Sequence, residues 1–78
     1  MKIRFVEEDG KLKVRLGDDK KTYLPYEIAL SIGILSQADR IKTYGEEIPE
    51  VVVECPLDDK RMKTVTEMKM IIAKMYGV

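Results

Sequence analysis

The feature that most constrains this chain is the dipeptide Asp9-Gly10, set between two segments of strict alternation. Upstream, "KIRFVE" (residues 2–7) places Ile3 and Phe5 on one parity and Lys2 and Arg4 on the other. Downstream, "KLKVRL" (residues 11–16) places Leu12, Val14 and Leu16 on one parity and Lys11, Lys13 and Arg15 on the other. Period-two alternation marks a strand with one face buried and one in water. Asp-Gly suits a tight hairpin turn, because both central residues of a type I′ turn need positive φ. The two segments are therefore expected to pair, with Lys2, Arg4, Lys11, Lys13 and Arg15 together on the outer face.

The rest of the chain reads as alternating helices and strands. "GDDKK" (17–21) is a turn and "TYL" (22–24) starts a third short strand. Pro25 suits the first position of a helix, where a missing N–H costs nothing. From Ile28 to Leu35 that helix is apolar nearly all round, which predicts that it is buried. Gly33 is expected to stop the helix or to mark a close packing point. Ser36 can cap a second short helix ending at Gly45, and one longer kinked helix is the alternative. "VVVEC" (51–55) is a β-branched run that suits a central strand buried on both faces, ended by Pro56. A last helix is expected from Asp58 to Tyr76, with acids at its start, Lys74 near its end and Gly77 as its stop. The order β-β-(β)-α-α-β-α predicts an α+β fold, with helices packed on one face of a small mixed sheet. At 78 residues a single domain spanning 1–78 is expected.

Composition excludes several classes of function. The chain has no His and one cysteine, Cys55, so the commonest general base, an internal disulfide and a Cys/His zinc set are all missing. Cys55 on an apolar strand without a His partner reads as an inert thiol. No glycine-rich phosphate loop is present, and the pairs Asp18-Asp19 and Asp58-Asp59 lack calcium-loop spacing. No enzyme, cofactor or small-molecule substrate is expected. The N-terminus lacks signal-peptide features, and no apolar run is long enough to span a bilayer. A cytoplasmic protein is therefore expected. The absence of Asn and the high charged fraction, 36%, suggest a thermophilic source, against which stand five Met residues.

Formal net charge is zero, yet it conceals opposed regions. Residues 44–59 hold six acids and no base, whereas residues 60–78 hold five bases and one acid. Complementary patches of this kind can steer a partner or meet between copies, or can simply match the helix dipole.

Three features bear on function. The five-cation hairpin face can neutralise phosphates, since a two-stranded ribbon fits the major groove of DNA, although Lys on edge strands also serves to block aggregation. "EIALSIGILSQADRI" (27–41) is similar to the first half of a bacterial helix-turn-helix, which implies DNA contacts from Gln37, Arg40 and Lys42. Leu35 interrupts that pattern as an extra residue, and Asp39 stands where a buried aliphatic belongs. The last helix carries an apolar arc of roughly 200°, including Met68, Ile71 and Met75, with Met70 on its polar side. An arc that wide exceeds what one sheet covers, so Met68, Met70, Ile71 and Met75 are candidates for a dimer seam or a partner groove. The order of elements, a leading hairpin, a helix pair, a returning strand and an amphipathic helix, is also similar to the BTB-type order, which implies protein interaction. The expectation is a small binding protein that holds nucleic acid on the hairpin face, the alternative being a protein-interaction or self-associating module.

Overall fold

The computed structural model describes residues 1–78 as seven elements. Strands β1 (Lys2–Glu8) and β2 (Lys11–Leu16) form the hairpin. They are followed by β3 (Thr22–Tyr23), helices α1 (Pro25–Ile34) and α2 (Gln37–Tyr44), strand β4 (Glu50–Val53) and helix α3 (Asp59–Tyr76). The four strands form one mixed sheet in the order β3-β2-β1-β4. β1 pairs antiparallel with β2 and parallel with β4.

The hairpin follows directly from its turn. Asp9 takes φ 53° and Gly10 φ 75°, the left-handed pair that a type I′ turn requires. The resulting register sets Phe5 opposite Val14 and Ile3 opposite Leu16, so every apolar residue of one parity reaches the same face. There Ile3, Phe5 and Val14 are fully buried. Ile28 and Ile32 of α1, Tyr44 of α2, and Val65, Met68 and Ile72 of α3 complete the core from the helical side.

The helix boundaries are chemical. In α3 the Asp58 side chain accepts from the Arg61 N–H at 2.7 Å, and Gly77 ends the helix in the left-handed region. In α2 the Ser36 hydroxyl accepts from the Asp39 N–H at 3.2 Å and donates to the Asp39 carboxylate. α1 begins at Pro25 after Leu24, whose N–H donates to the Glu27 carboxylate at 3.0 Å. The helix pair is two helices with Leu35 and Ser36 between them.

Four expectations change. Helix α1 is not buried all round: only Ile28 and Ile32 are, because the fold has one helical layer and nothing lies beyond it. Gly33 neither stops α1 nor marks close packing: the helix runs through it to Ile34, and a Cβ there would meet nothing within 4 Å. The β-branched segment is the edge strand β4, not a central one, since it pairs only with β1 and the remaining strand, β3, adds to β2 at the other end of the sheet. Met68 is 2% exposed, one of three residues at i, i+3 and i+7 (Val65, Met68, Ile72) that face the sheet, so it offers nothing to a partner of the folded chain.

Candidate interaction surfaces

The outer face of the sheet carries the five cations together, as the register requires, but it also carries carboxylates. Arg4 lies opposite Arg15 on β2 and Val52 on β4; Lys13 lies opposite Val6, Lys11 opposite Glu8, and Lys2 opposite Glu50. Two arginines directly opposite would repel. Glu54, just past β4, relieves this by gripping Arg4 with two hydrogen bonds, at 2.7 Å from Nε and 3.1 Å from Nη2. Arg4 also donates to the Gly17 carbonyl. The hydrogen bond from Arg4 holds the Glu54 carboxyl below its ordinary value, against a smaller opposing effect of desolvation, and Arg15 and Lys2 add to the lowering. Glu8 accepts from the Thr22 hydroxyl at 2.9 Å.

Five cations thus share their face with three carboxylates, Glu8, Glu50 and Glu54. The cleft of about 530 Å³ on this face mixes Lys2 and Arg4 with Asp18 and Glu54. The sequence parity found the cations correctly. It missed Glu50 and Glu54 because they reach the face from a segment nearly fifty residues away, on the side of β1 that a hairpin pattern cannot see, whereas Glu8 shares the cations' parity within the hairpin and was there to be read.

The helical side differs. On α3, Ile71 and Met75 are half-buried against the core, and only Met70, with Met62 nearer the start, projects well into solvent. The four partner candidates therefore separate: Met68 lies in the core, Ile71 and Met75 lie at its edge, and Met70 stands alone among Lys69 and Lys74. α1 is where apolar surface is left bare. Tyr26, Leu30 and Ile34 recur at four-residue spacing, which stacks them along one side of the helix, and they are 61%, 57% and 79% exposed.

This stripe borders a groove between α1 and α3. At the N-terminal end of α1 the groove is a recess of about 240 Å³ lined by Tyr26, Ala29, Thr64, Glu67 and Ile71 among others. At the C-terminal end it is a recess of about 430 Å³ lined by Ile32, Gly33, Arg40, Ile71, Lys74 and Met75. Arg40 is held there by a 2.9 Å hydrogen bond from its Nε to the Leu35 carbonyl. The helix-turn-helix candidates divide in the same way: Gln37 and Lys42 are exposed, whereas Arg40 is half-buried in this corner.

A third cleft, of about 660 Å³, lies where the hairpin tip meets the starts of α1 and α3, and includes Lys11, Tyr26, Asp58, Lys60 and Arg61. Arg61 donates through both Nη atoms, to Glu7 at 2.6 Å and to the carbonyls of Pro56 and Gly10, and so clamps α3 to the hairpin. Cys55 is half-buried and free. No helix is long and apolar enough to cross a membrane.

Compared with protein-family models, with curated proteins and with solved structures, the chain matches none.

Proposed function

We propose that this chain is a non-enzymatic protein-interaction module that docks a protein partner on the outer side of α1. The observation that carries this reading is the Tyr26–Leu30–Ile34 stripe, three large apolar side chains left mostly in water beside a ready groove. Single exposed apolar residues are ordinary, but a contiguous row on a helix has a cost in water that a partner removes. Helix-in-groove docking uses such i, i+4 anchors. The BTB-like order of elements points the same way by analogy. The test compares proteins retained by the native chain with those retained by a Leu30→Glu/Ile34→Glu variant of unchanged circular dichroism. Retention lost in the variant supports the reading, and identical retention overturns it.

A second reading, nucleic-acid binding by the sheet face, rests on Lys2, Lys11, Lys13 and Arg15, the cations outside the Arg4–Glu54 pair. With three carboxylates interleaved, the face is a weak phosphate surface. A duplex-DNA titration at low salt checks it: affinity that falls steeply with salt and disappears in Lys11→Glu/Lys13→Glu/Arg15→Glu favours this second reading.

A further inference from the structure

We infer that the partner seated on α1 is a second copy of this chain, related by a two-fold axis near Leu30 with the two α1 helices antiparallel. This rests on the docking reading above and adds the identity of the occupant.

The charges flanking the stripe are what select it. At the N-terminal end of α1 stand two carboxylates, Glu27 on the helix itself and Glu67 in the recess with Tyr26 and Ala29. At the C-terminal end stand two cations, Arg40 and Lys74, in the recess with Gly33. A two-fold interface joins the same patch of both copies, and with the axis perpendicular to α1 each residue meets the opposite end of its counterpart. Antiparallel α1 helices then set Tyr26 against Ile34 of the other copy and Leu30 against Leu30. Glu67 of each copy then faces Lys74 of the other. A parallel arrangement would oppose acid to acid and base to base. Ala29 and Gly33 keep the groove wall low, so a facing helix can approach closely. Lys11 and Lys60 also reach the cleft beside Tyr26, together with Asp58.

Two bulk properties agree. The chain exposes 5384 Å², whereas a folded monomer of 9.0 kDa is expected to expose about 4,900 Å². Zero formal net charge also leaves no long-range repulsion between copies.

The experiment is sedimentation equilibrium of the full chain from micromolar to millimolar concentration, with circular dichroism confirming the fold of each variant. The native chain is expected to dimerise. Leu30→Glu should weaken the dimer by at least about tenfold in Kd while leaving the spectrum unchanged. Glu67→Lys and Lys74→Glu should each weaken it, and the double variant Glu67→Lys/Lys74→Glu should restore it, because the swapped charges meet again across the two-fold. A chain that stays monomeric throughout overturns the self-association, as does a dimer insensitive to Leu30→Glu. If a monomeric chain still loses other bound proteins on Leu30→Glu, the docking reading survives without the second copy. If Leu30→Glu changes neither, both fail.

Discussion

Helices α1 and α3 pack side by side on the same sheet, yet they spend their apolar residues in opposite ways. α3 turns Val65, Met68 and Ile72 into the core, tucks Ile71 and Met75 against its edge, and presents a mostly charged back. α1 turns only Ile28 and Ile32 inward and leaves Tyr26, Leu30 and Ile34 in water. The ends differ too. α3 is capped by Asp58, clamped to the hairpin through Arg61, and tied at its far end by the Tyr76 hydroxyl, which donates to the Gly45 carbonyl at 3.0 Å. α1 starts on a proline with no side-chain oxygen at its cap. One helix is built into the fold, and the other buries one side and leaves a row of apolar side chains in water. Hydrophobicity alone does not decide burial; the number of layers available to receive a helix does.

The sharpest way to break this contrast is in the core of α3. Ile72→Ala should destabilise the fold by ~2–5 kcal/mol in urea unfolding, because the side chain is enclosed on all sides and the site cannot collapse fully. A loss under ~1 kcal/mol would mean that α3 is not anchored as described. Next in size is the cap. Asp58→Ala should cost ~1 kcal/mol by freeing the Arg61 N–H, measured as a lower urea midpoint at constant slope. On α1, Gly33→Ala should instead stabilise the monomer, measured at concentrations below association, by ~0.5–1 kcal/mol, since the backbone is already helical there and within one chain the added methyl meets nothing. Smaller still, Leu30→Ser should change the stability of the monomer, measured at concentrations below association, by no more than ~0.5 kcal/mol.

The last of these tests uses pH. Burial raises the Tyr76 phenol above its ordinary 10.0; Tyr44 adds to the rise, and Arg40 opposes it. A raised folded-state pKa means that the neutral phenol is favoured by the fold. The stability this contributes is complete below the unfolded value and is lost as pH rises through the folded one. In a phenolate absorbance titration Tyr76→Phe should therefore remove a late component. Glu54 behaves with the opposite sign. Its carboxyl is lowered by the Arg4 hydrogen bond, so its contribution is present above the unfolded value and is lost as pH falls through the folded one. Carbon-detected titration should show Glu54 moving up toward the ordinary carboxylate range in Arg4→Met.

Much of the fold was legible because local chemistry and global pattern agree there. The hairpin has both a period-two code and a turn that Asp-Gly fits easily, and α3 has a cap, a dipole match and a glycine stop. The α+β class followed from the order of the elements. What could not be read were the quantities set by distant chain. Nothing near Val51–Val53 says that β4 is an edge strand, because that depends on β3 adding to β2 and on no strand following to cover β4. Nothing near Arg4 says that Glu54 will reach it. The apolar run of α1 looked like a buried helix because composition counts side chains without knowing how many layers a 78-residue chain can build. The arc of α3 looked surplus because Met75 and Ile71 serve the core at its margin. For the candidate surfaces, parity gathered the five cations correctly but left out their acidic neighbours, and the bare stripe lay on the helix adjacent to the one proposed.

The parallel pairing of β1 with β4 also sets an order of events as the chain is made. The hairpin has everything it needs once Leu16 has been synthesised. The other side of β1, from Lys2 to Phe5, has no partner until residues 50–53 follow. Closing that gap brings together segments almost fifty residues apart, which is slow compared with making helices or a tight turn. Until then the nascent chain displays an unpaired strand edge of the kind that recruits neighbours. Lys11 already faces Glu8 within the hairpin, whereas Lys2 and Arg4 meet Glu50 and Glu54 only at the end. Until then Lys2 and Arg4 stand on the open strand, and charged side chains on such an edge disfavour pairing with a neighbouring chain.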